Sequence, residues 1–209
     1  MRASDDFEDA RATARDDLSA RGDRSMAAPL RVTFVGGRSG SWRIDRIEAV
    51  RGPSLPLAGR LAILESDAEP SADAGRWAIR GVTSNERYVT RAEHDALDAI
   101  QPSLGRPEAT QAALIPIRKS EDWWALPQYE RRAIFEETSR HVRTGLGYLP
   151  DVARRLYHSR DLGEPFDFLT WFEFAPAHAH AFDELARRLR TTAEWDYVER
   201  EVEIRVSRP

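Results

Sequence analysis

The 209 residues include no cysteine, which excludes disulfides, thiolate metal sites, iron–sulfur clusters and cysteine nucleophiles. A bound metal therefore has to rest on His, Asp, Glu or Tyr. No apolar run approaches the ~20 residues that span a bilayer, and the N-terminus lacks the apolar core of an export signal; a cytoplasmic protein without membrane contact is expected. Neither charge dominates: 31 basic against 35 acidic residues leave a net charge of −4, which argues against nucleic acid as the main partner. The motifs G-x-S-x-G, H-E-x-x-H, G-x-G-x-x-G and the Walker loop are missing too, and Gly36-Gly37 at a strand end makes no phosphate cradle. Standard hydrolase and nucleotide-binding chemistry is left without its residues.

What is present changes character along the chain. Residues 1–25 are charged, with Phe7 their one aromatic, and predict a disordered extension. From Leu30 come short β-type runs, LRVTFVGG at 30–37, SWRIDRIEAV at 41–50, RLAILES at 60–66 and RWAIRGVTS at 76–84, punctuated by glycine and proline. The stretch DAEPSADAG at 67–75 reads as an exposed loop. A helix is predicted over about 90–100, and AALIPIRKS at 112–120 reads as a further strand.

The second half is more regular. Pro127 to about Gly145 is charged and favours helix, with Ile134, Thr138 and His141 at helical spacings that predict a shared face. Two strand-like runs follow, DVARRLYHS at 151–159 and PFDFLTWFEF at 165–174, joined by RDLGE as a hairpin turn. A helix over 177–190 places Phe182, Leu185 and Leu189 on one stripe, and YVEREVEIRV at 197–206 alternates as the last strand. The order α-β-β-α-β, with β-α-β ahead of it, predicts an α+β protein built from ferredoxin-like halves, residues 26–120 and 121–209, with helices on one face of an antiparallel sheet. The aromatic alternation Phe166, Phe168, Phe172, Phe174 predicts that the sheet faces something large and apolar.

Few residues carry chemistry unaided. The histidines are His94, His141, His158, His178 and His180, and imidazoles are more often core or surface groups than ligands. His178 and His180 have no third ligand nearby to complete a zinc set. Arg154-Arg155 is more informative, because successive strand residues point to opposite faces and one guanidinium must enter the layer that Val152 and Leu156 face. A buried arginine demands an anion, either a structural Asp or Glu or a ligand. Trp123, Trp124, Trp171 and Trp195 read as core or interface anchors.

Four blocks taken in order, WAIRGVTSNERYVTRAE at 77–93, AALIPIRKSEDWWALPQYERRAIFEE at 112–137, HVRTGLGYLPDVARRLYHSRDLGEPFDFLTWFEF at 141–174 and EWDYVEREVEIRV at 194–206, resemble the chlorite dismutase family. The resemblance implies tandem ferredoxin-like halves forming an antiparallel β-barrel with helices outside, and haem b in the C-terminal half. It implies that His141 is the proximal iron ligand, that Glu194 accepts a hydrogen bond from the ligand's second nitrogen, and that Arg154, thirteen residues after the histidine, is the distal arginine. Lys119, Trp123, Asn85 and Tyr88 match positions that contact or enclose the haem propionates, and Gln101 one that holds the distal arginine. The implied reaction converts the small anion chlorite to chloride and dioxygen. The short N-terminal half, counted from Met26, resembles the compact lineage that forms homodimers.

Rival readings remain at this stage. A haem-binding or sensing protein, or a weak peroxidase of the same family, would carry the same pocket residues. A coproheme decarboxylase needs a tyrosine near a propionate and lacks the distal arginine; no tyrosine lies between Gln101 and Lys119, and Arg154 is present. A plain dimeric module of ferredoxin-like halves would make His141 a core residue and Glu194 a surface one.

Overall fold

The computed structural model describes residues 29–65, 75–83 and 88–209. The extension expected at 1–25, most of the loop read at 67–75, and Asn85 lie outside these residues. The elements are β1 (Arg31–Gly37), β2 (Trp42–Arg51), β3 (Arg60–Leu64), β4 (Trp77–Val82), α1 (Arg91–Ile100), β5 (Gln111–Lys119), α2 (Glu121–Ala125), α3 (Gln128–Arg132), α4 (His141–Leu146), β6 (Val152–His158), β7 (Phe168–Phe174), α5 (Ala179–Leu189) and β8 (Val198–Ser207).

The strands close into a barrel in the order β1-β3-β2-β8-β5-β7-β6-β4, and all the pairs are antiparallel. Each half contributes one ferredoxin-like sheet, β4-β1-β3-β2 and β8-β5-β7-β6, in which the first strand lies between the fourth and the third. A boundary at 120/121 assigns β5 to the first half, whereas its partners β7 and β8 place it in the second. The halves join along a long β2–β8 ladder and, on the other side, through the single pair Val82↔His158.

Strand alternation sorts the apolar residues into two cores. Those pointing inward fill the barrel with Phe34, Trp42, Leu61, Tyr157, Leu169, Trp171 and Ile204. Trp171 meets Trp42 edge-on at 5.3 Å, and Phe34 meets Tyr157 at 5.5 Å. The indole of Trp171 donates to Glu173, whose other oxygen takes the amide of Gly105, so this buried carboxylate is satisfied. Gly36 is required by a close approach, since a Cβ there would lie 2.1 Å from the ring of Trp77. On the outer face of the second sheet, Ala113, Ile115, Val152, Phe172 and Phe174 pack with Phe182, Leu185 and Leu189 of α5, the stripe predicted for that helix.

Two expectations are corrected. Phe166 precedes β7 and turns into the barrel core, away from Phe172 and Phe174. The segment 127–145 is not one helix: α3 runs into a π-helical turn at Ala133–Thr138, and Arg140 adopts a left-handed conformation (φ 53°) that ends it. The carboxylate of Glu136 then accepts the amides of Val142 (2.7 Å) and Arg143 (3.3 Å), capping α4 as a separate helix. His141 is its first residue, and Thr138 is exposed, so no continuous face joins them.

Phe34→Ala empties the centre of the barrel and is expected to cost about 3–5 kcal/mol. Tyr129→Ala, at a side chain 72% exposed, is expected to stay within about 0.5 kcal/mol. Urea denaturation of both variants checks the contrast.

Candidate functional site

A cavity of about 250 Å³ lies between the outer face of β5, β6 and β7 and the helices α4 and α5, with the 3₁₀ turn Ala193–Tyr197 at one end. Its walls are mostly apolar: Ile115 and Ile117 from β5, Leu156 from β6, Phe168 and Phe172 from β7, Phe135 and Val142 from the broken helix, Leu185 and Leu189 from α5. Such a site suits a flat, largely hydrophobic molecule held by a few polar anchors.

Those anchors centre on Glu194, which is buried although a plain interaction module would leave it at the surface. Its Oε2 lies 2.7 Å from His141 Nδ1, and its Oε1 accepts from Lys119 Nζ at 2.9 Å. The backbone amide of Glu194 donates to Ser139 Oγ at 3.0 Å, tying the turn to the residues just before α4. Burial pushes the Glu194 carboxyl up, but His141 and Lys119 beside it prevail and hold it at about 2. With Nδ1 so engaged, the ring's other nitrogen is left for a ligand or metal. The imidazole is flanked by Phe135, 4.5 Å away and 21° from parallel, and by Trp195, 6.2 Å away and 16° from parallel.

The remaining predicted residues gather around the same cavity, apart from Asn85. Lys119 is 3% exposed, with Nζ 4.7 Å from the centre of the Trp123 ring; its ammonium is bonded to Glu194, where the resemblance implies a propionate. Trp123 is buried, and its indole Nε1 has no hydrogen-bond partner among the described residues. Tyr88 adopts a left-handed backbone (φ 70°), uncommon for an aromatic residue. Arg132 bonds its carbonyl, and Arg131 donates to its hydroxyl at 3.1 Å. Arg132 also grips both oxygens of Glu93, the residue that completes the capping box of α1.

By strand alternation Val152, Arg154, Leu156 and His158 share the outer face of β6, and both Arg154 and Arg155 line the cavity. The Arg154 guanidinium rests against α4, where a Cβ on Gly145 would lie 3.6 Å from Cζ. Gln101, implied to hold this arginine, donates from Nε2 to the backbone oxygen of Arg154 at 2.9 Å. Phe135, Trp195 and Glu201 also line the cavity and were not singled out from sequence as site residues. Phe135 is six residues before His141, across a helix break that no periodicity signals; Trp195 is marked only by its adjacency to Glu194.

The Glu194 carboxyl links this site to stability. It is ionised in the folded protein down to about pH 2, and in the unfolded chain only above its ordinary 4.5. Its contribution, on the order of 3 kcal/mol, is therefore complete above pH ~4.5 and is lost as the pH falls toward 2. Glu194→Gln, which leaves the Lys119 ammonium buried without its anion, is expected to be less stable by about 3 kcal/mol at pH 7. The gap from the parent should close steadily as the pH falls from about 4.5 toward 2 in urea titrations. A gap that does not change with pH contradicts this assignment.

The family model for chlorite dismutase matches residues 75–209. The curated chlorite dismutase of Ideonella dechloratans is 40% identical over 98 residues, 46% of this chain and 33% of that protein, so the chain aligns with about a third of that relative's length. The solved dimeric chlorite dismutase of Nitrobacter winogradskyi is 56% identical, with a TM-score of 0.80 over 85% of this chain and 99% of the other. A chlorite dismutase of Candidatus Nitrospira defluvii in complex with imidazole, 22% identical, shares the fold with a TM-score of 0.61 over 94% of this chain and 95% of the other. The family match takes in His141, Arg154 and Glu194 together with the whole second half of the barrel, and the chain belongs to the chlorite dismutase family.

Proposed function

We propose that this protein is a haem b enzyme that converts chlorite to chloride and dioxygen, with His141 as the iron ligand. The observation that carries this reading is the pairing of His141 Nδ1 with the buried carboxylate of Glu194 in the wall of an apolar cavity that also holds Arg154. Family membership and the 56% identity to a solved dimeric chlorite dismutase support it. The residues fit a haem. One imidazole nitrogen is held and the other is left for the metal; the walls are aromatic and aliphatic; and the orphan indole N–H of Trp123 is a buried donor suited to a carboxylate arm.

Each side chain then has a physical task. Glu194, kept ionised by Lys119 and His141, fixes the imidazole tautomer and makes the ring a stronger donor. Haem, when bound, supplies the redox-active iron at which the Cl–O bonds of chlorite break and the O–O bond forms. No strong acid or base is required of the protein, because ClO₂⁻ and the products Cl⁻ and O₂ balance without protons. What is required is that a small anion and its fragments stay in place, and a guanidinium does this: it is charged at every working pH and offers several donors in a fixed fork. The apolar walls exclude water from the same volume and strengthen that attraction.

The reading is tested by oxygen evolution on adding chlorite to the haem-loaded protein. His141→Ala is expected to abolish oxygen release. Arg154→Ala is expected to lower it by about 100–1000-fold and to bleach its haem faster, the scale on which losing one electrostatic anchor acts. Haem binding without oxygen release in the parent protein contradicts the chlorite reading and leaves a haem-binding role. We also propose a homodimer, on the strength of the dimeric relative matched over 99% of its length. Light scattering is expected to give twice the 23.7 kDa chain mass.

A further inference from the structure

His141 opens a short helix after a left-handed residue, and the preceding stretch, Gln128–Thr138, has no fully buried residue. A backbone seated in this way does not by itself fix the plane of an imidazole. The bond from Nδ1 to Glu194 holds one atom of the ring but not its rotation about that contact. The second constraint comes from the two near-parallel rings beside it, Phe135 at 4.5 Å and Trp195 at 6.2 Å, and these are anchored differently. Phe135 belongs to the same stretch as the backbone it would have to steady. Trp195 is tied to the barrel.

That tie is explicit. The Trp195 indole Nε1 donates to Glu201 Oε2 at 2.7 Å. Glu201, a β8 residue 1% exposed, receives Nε and Nη2 of Arg190 on its other oxygen at 2.9 and 2.6 Å. Arg190 Nη2 reaches on to Glu203 Oε2 at 2.7 Å, and Glu203 is held in turn by Arg46 and Arg205. Both carboxylates therefore sit on β8, the strand hydrogen-bonded to β2 of the first half and β5 of the second.

We infer that Glu201 is a positioning residue for the His141 ring: through the Trp195 indole it references the imidazole plane to the barrel rather than to the helix that carries the histidine. The inference rests on the reading of His141 as the haem ligand. Glu201 acts through the indole, because its carboxylate bonds Arg190 and Trp195. The consequence would be electronic as well as mechanical: rotation of a metal-bound imidazole would change its π overlap with the metal orbitals, so a ring free to rotate would spread the electronic states of a bound iron.

The test uses haem-loaded Trp195→Phe, which keeps a flanking ring but loses the N–H, and Glu201→Gln, which keeps the volume and offers only a neutral acceptor. Two quantities are read: the g-anisotropy of the ferric protein by electron paramagnetic resonance, and the rate of haem transfer to apomyoglobin. In Trp195→Phe the single signal is expected to split or broaden and haem loss to quicken by about tenfold. Glu201→Gln is expected to fall between this variant and the parent, and it carries the test alone if Trp195→Phe does not fold. Trp124→Phe, whose indole bonds Asp167 instead, is expected to match the parent. A parent-like signal and rate in both Trp195→Phe and Glu201→Gln overturn the inference, provided that His141→Ala has lost the imidazole-ligated spectrum. If His141→Ala keeps that spectrum, the ligand assignment beneath the inference is what fails.

Discussion

The buried carboxylate of Glu194 is the charge on which the rest of the site depends. An isolated carboxylate in an apolar wall is costly enough to protonate instead, so its ionisation requires cations at bonding distance. Lys119 supplies the cation from the end of β5, and the ring of His141 adds a hydrogen bond from the start of α4. Lys119 is the one lysine in a chain with 31 basic residues. Its compact ammonium, close to the faces of both Trp123 and Trp195, satisfies the carboxylate in a space where a planar guanidinium has a quite different shape and donor geometry. The triad therefore stitches β5, α4 and the turn before β8 into one unit, and it does so where the apolar cavity begins.

The barrel explains why the cavity lies outside it. Its interior is filled by Phe34, Trp42, Tyr157 and Trp171, with Trp42–Trp171 and Phe34–Tyr157 in edge contacts. The outer face of the second sheet is apolar over much of β5 and β7 and has to be covered. Helix α5 covers part of it with Phe182, Leu185 and Leu189, and the broken segment from α3 to α4 stands off the rest. Strand β6 places Arg154 on that face and its neighbour Tyr157 in the barrel core by period-two alternation alone. The cavity is thus a consequence of a sheet with more apolar outer surface than its helices cover.

Much of this was legible in the sequence, for identifiable reasons. The strands of both halves announce themselves by alternation between turn residues, and the stripe on α5 by its 3.6-residue period. Arg154 could be placed on a face because Val152 and Leu156 mark that face. The break at Arg140 was not legible: Gln128 to Leu146 has helix-favouring composition throughout, and what splits it is a left-handed arginine and a side-chain cap from Glu136, a tertiary choice over local propensity. The partner of Lys119 was hidden as well, because the carboxylate that claims it lies 75 residues away. Trp195 and Glu201 carry no functional mark, since a tryptophan before the last strand and a glutamate within it look like any core anchor and surface charge. The resemblance located His141, Glu194 and Arg154, whereas spacing alone left each with a structural alternative.

The central claim is that Glu194, held ionised by Lys119, draws on the Nδ1 proton of His141 and so strengthens the ring as a metal donor. The measurement that tests it most directly is the iron–histidine stretching frequency in the reduced, haem-loaded protein, compared with that of Glu194→Gln by resonance Raman spectroscopy. A clear shift to lower frequency in the variant is predicted, because a neutral amide pulls less on the Nδ1 proton and weakens the bond. An unchanged frequency contradicts the claim.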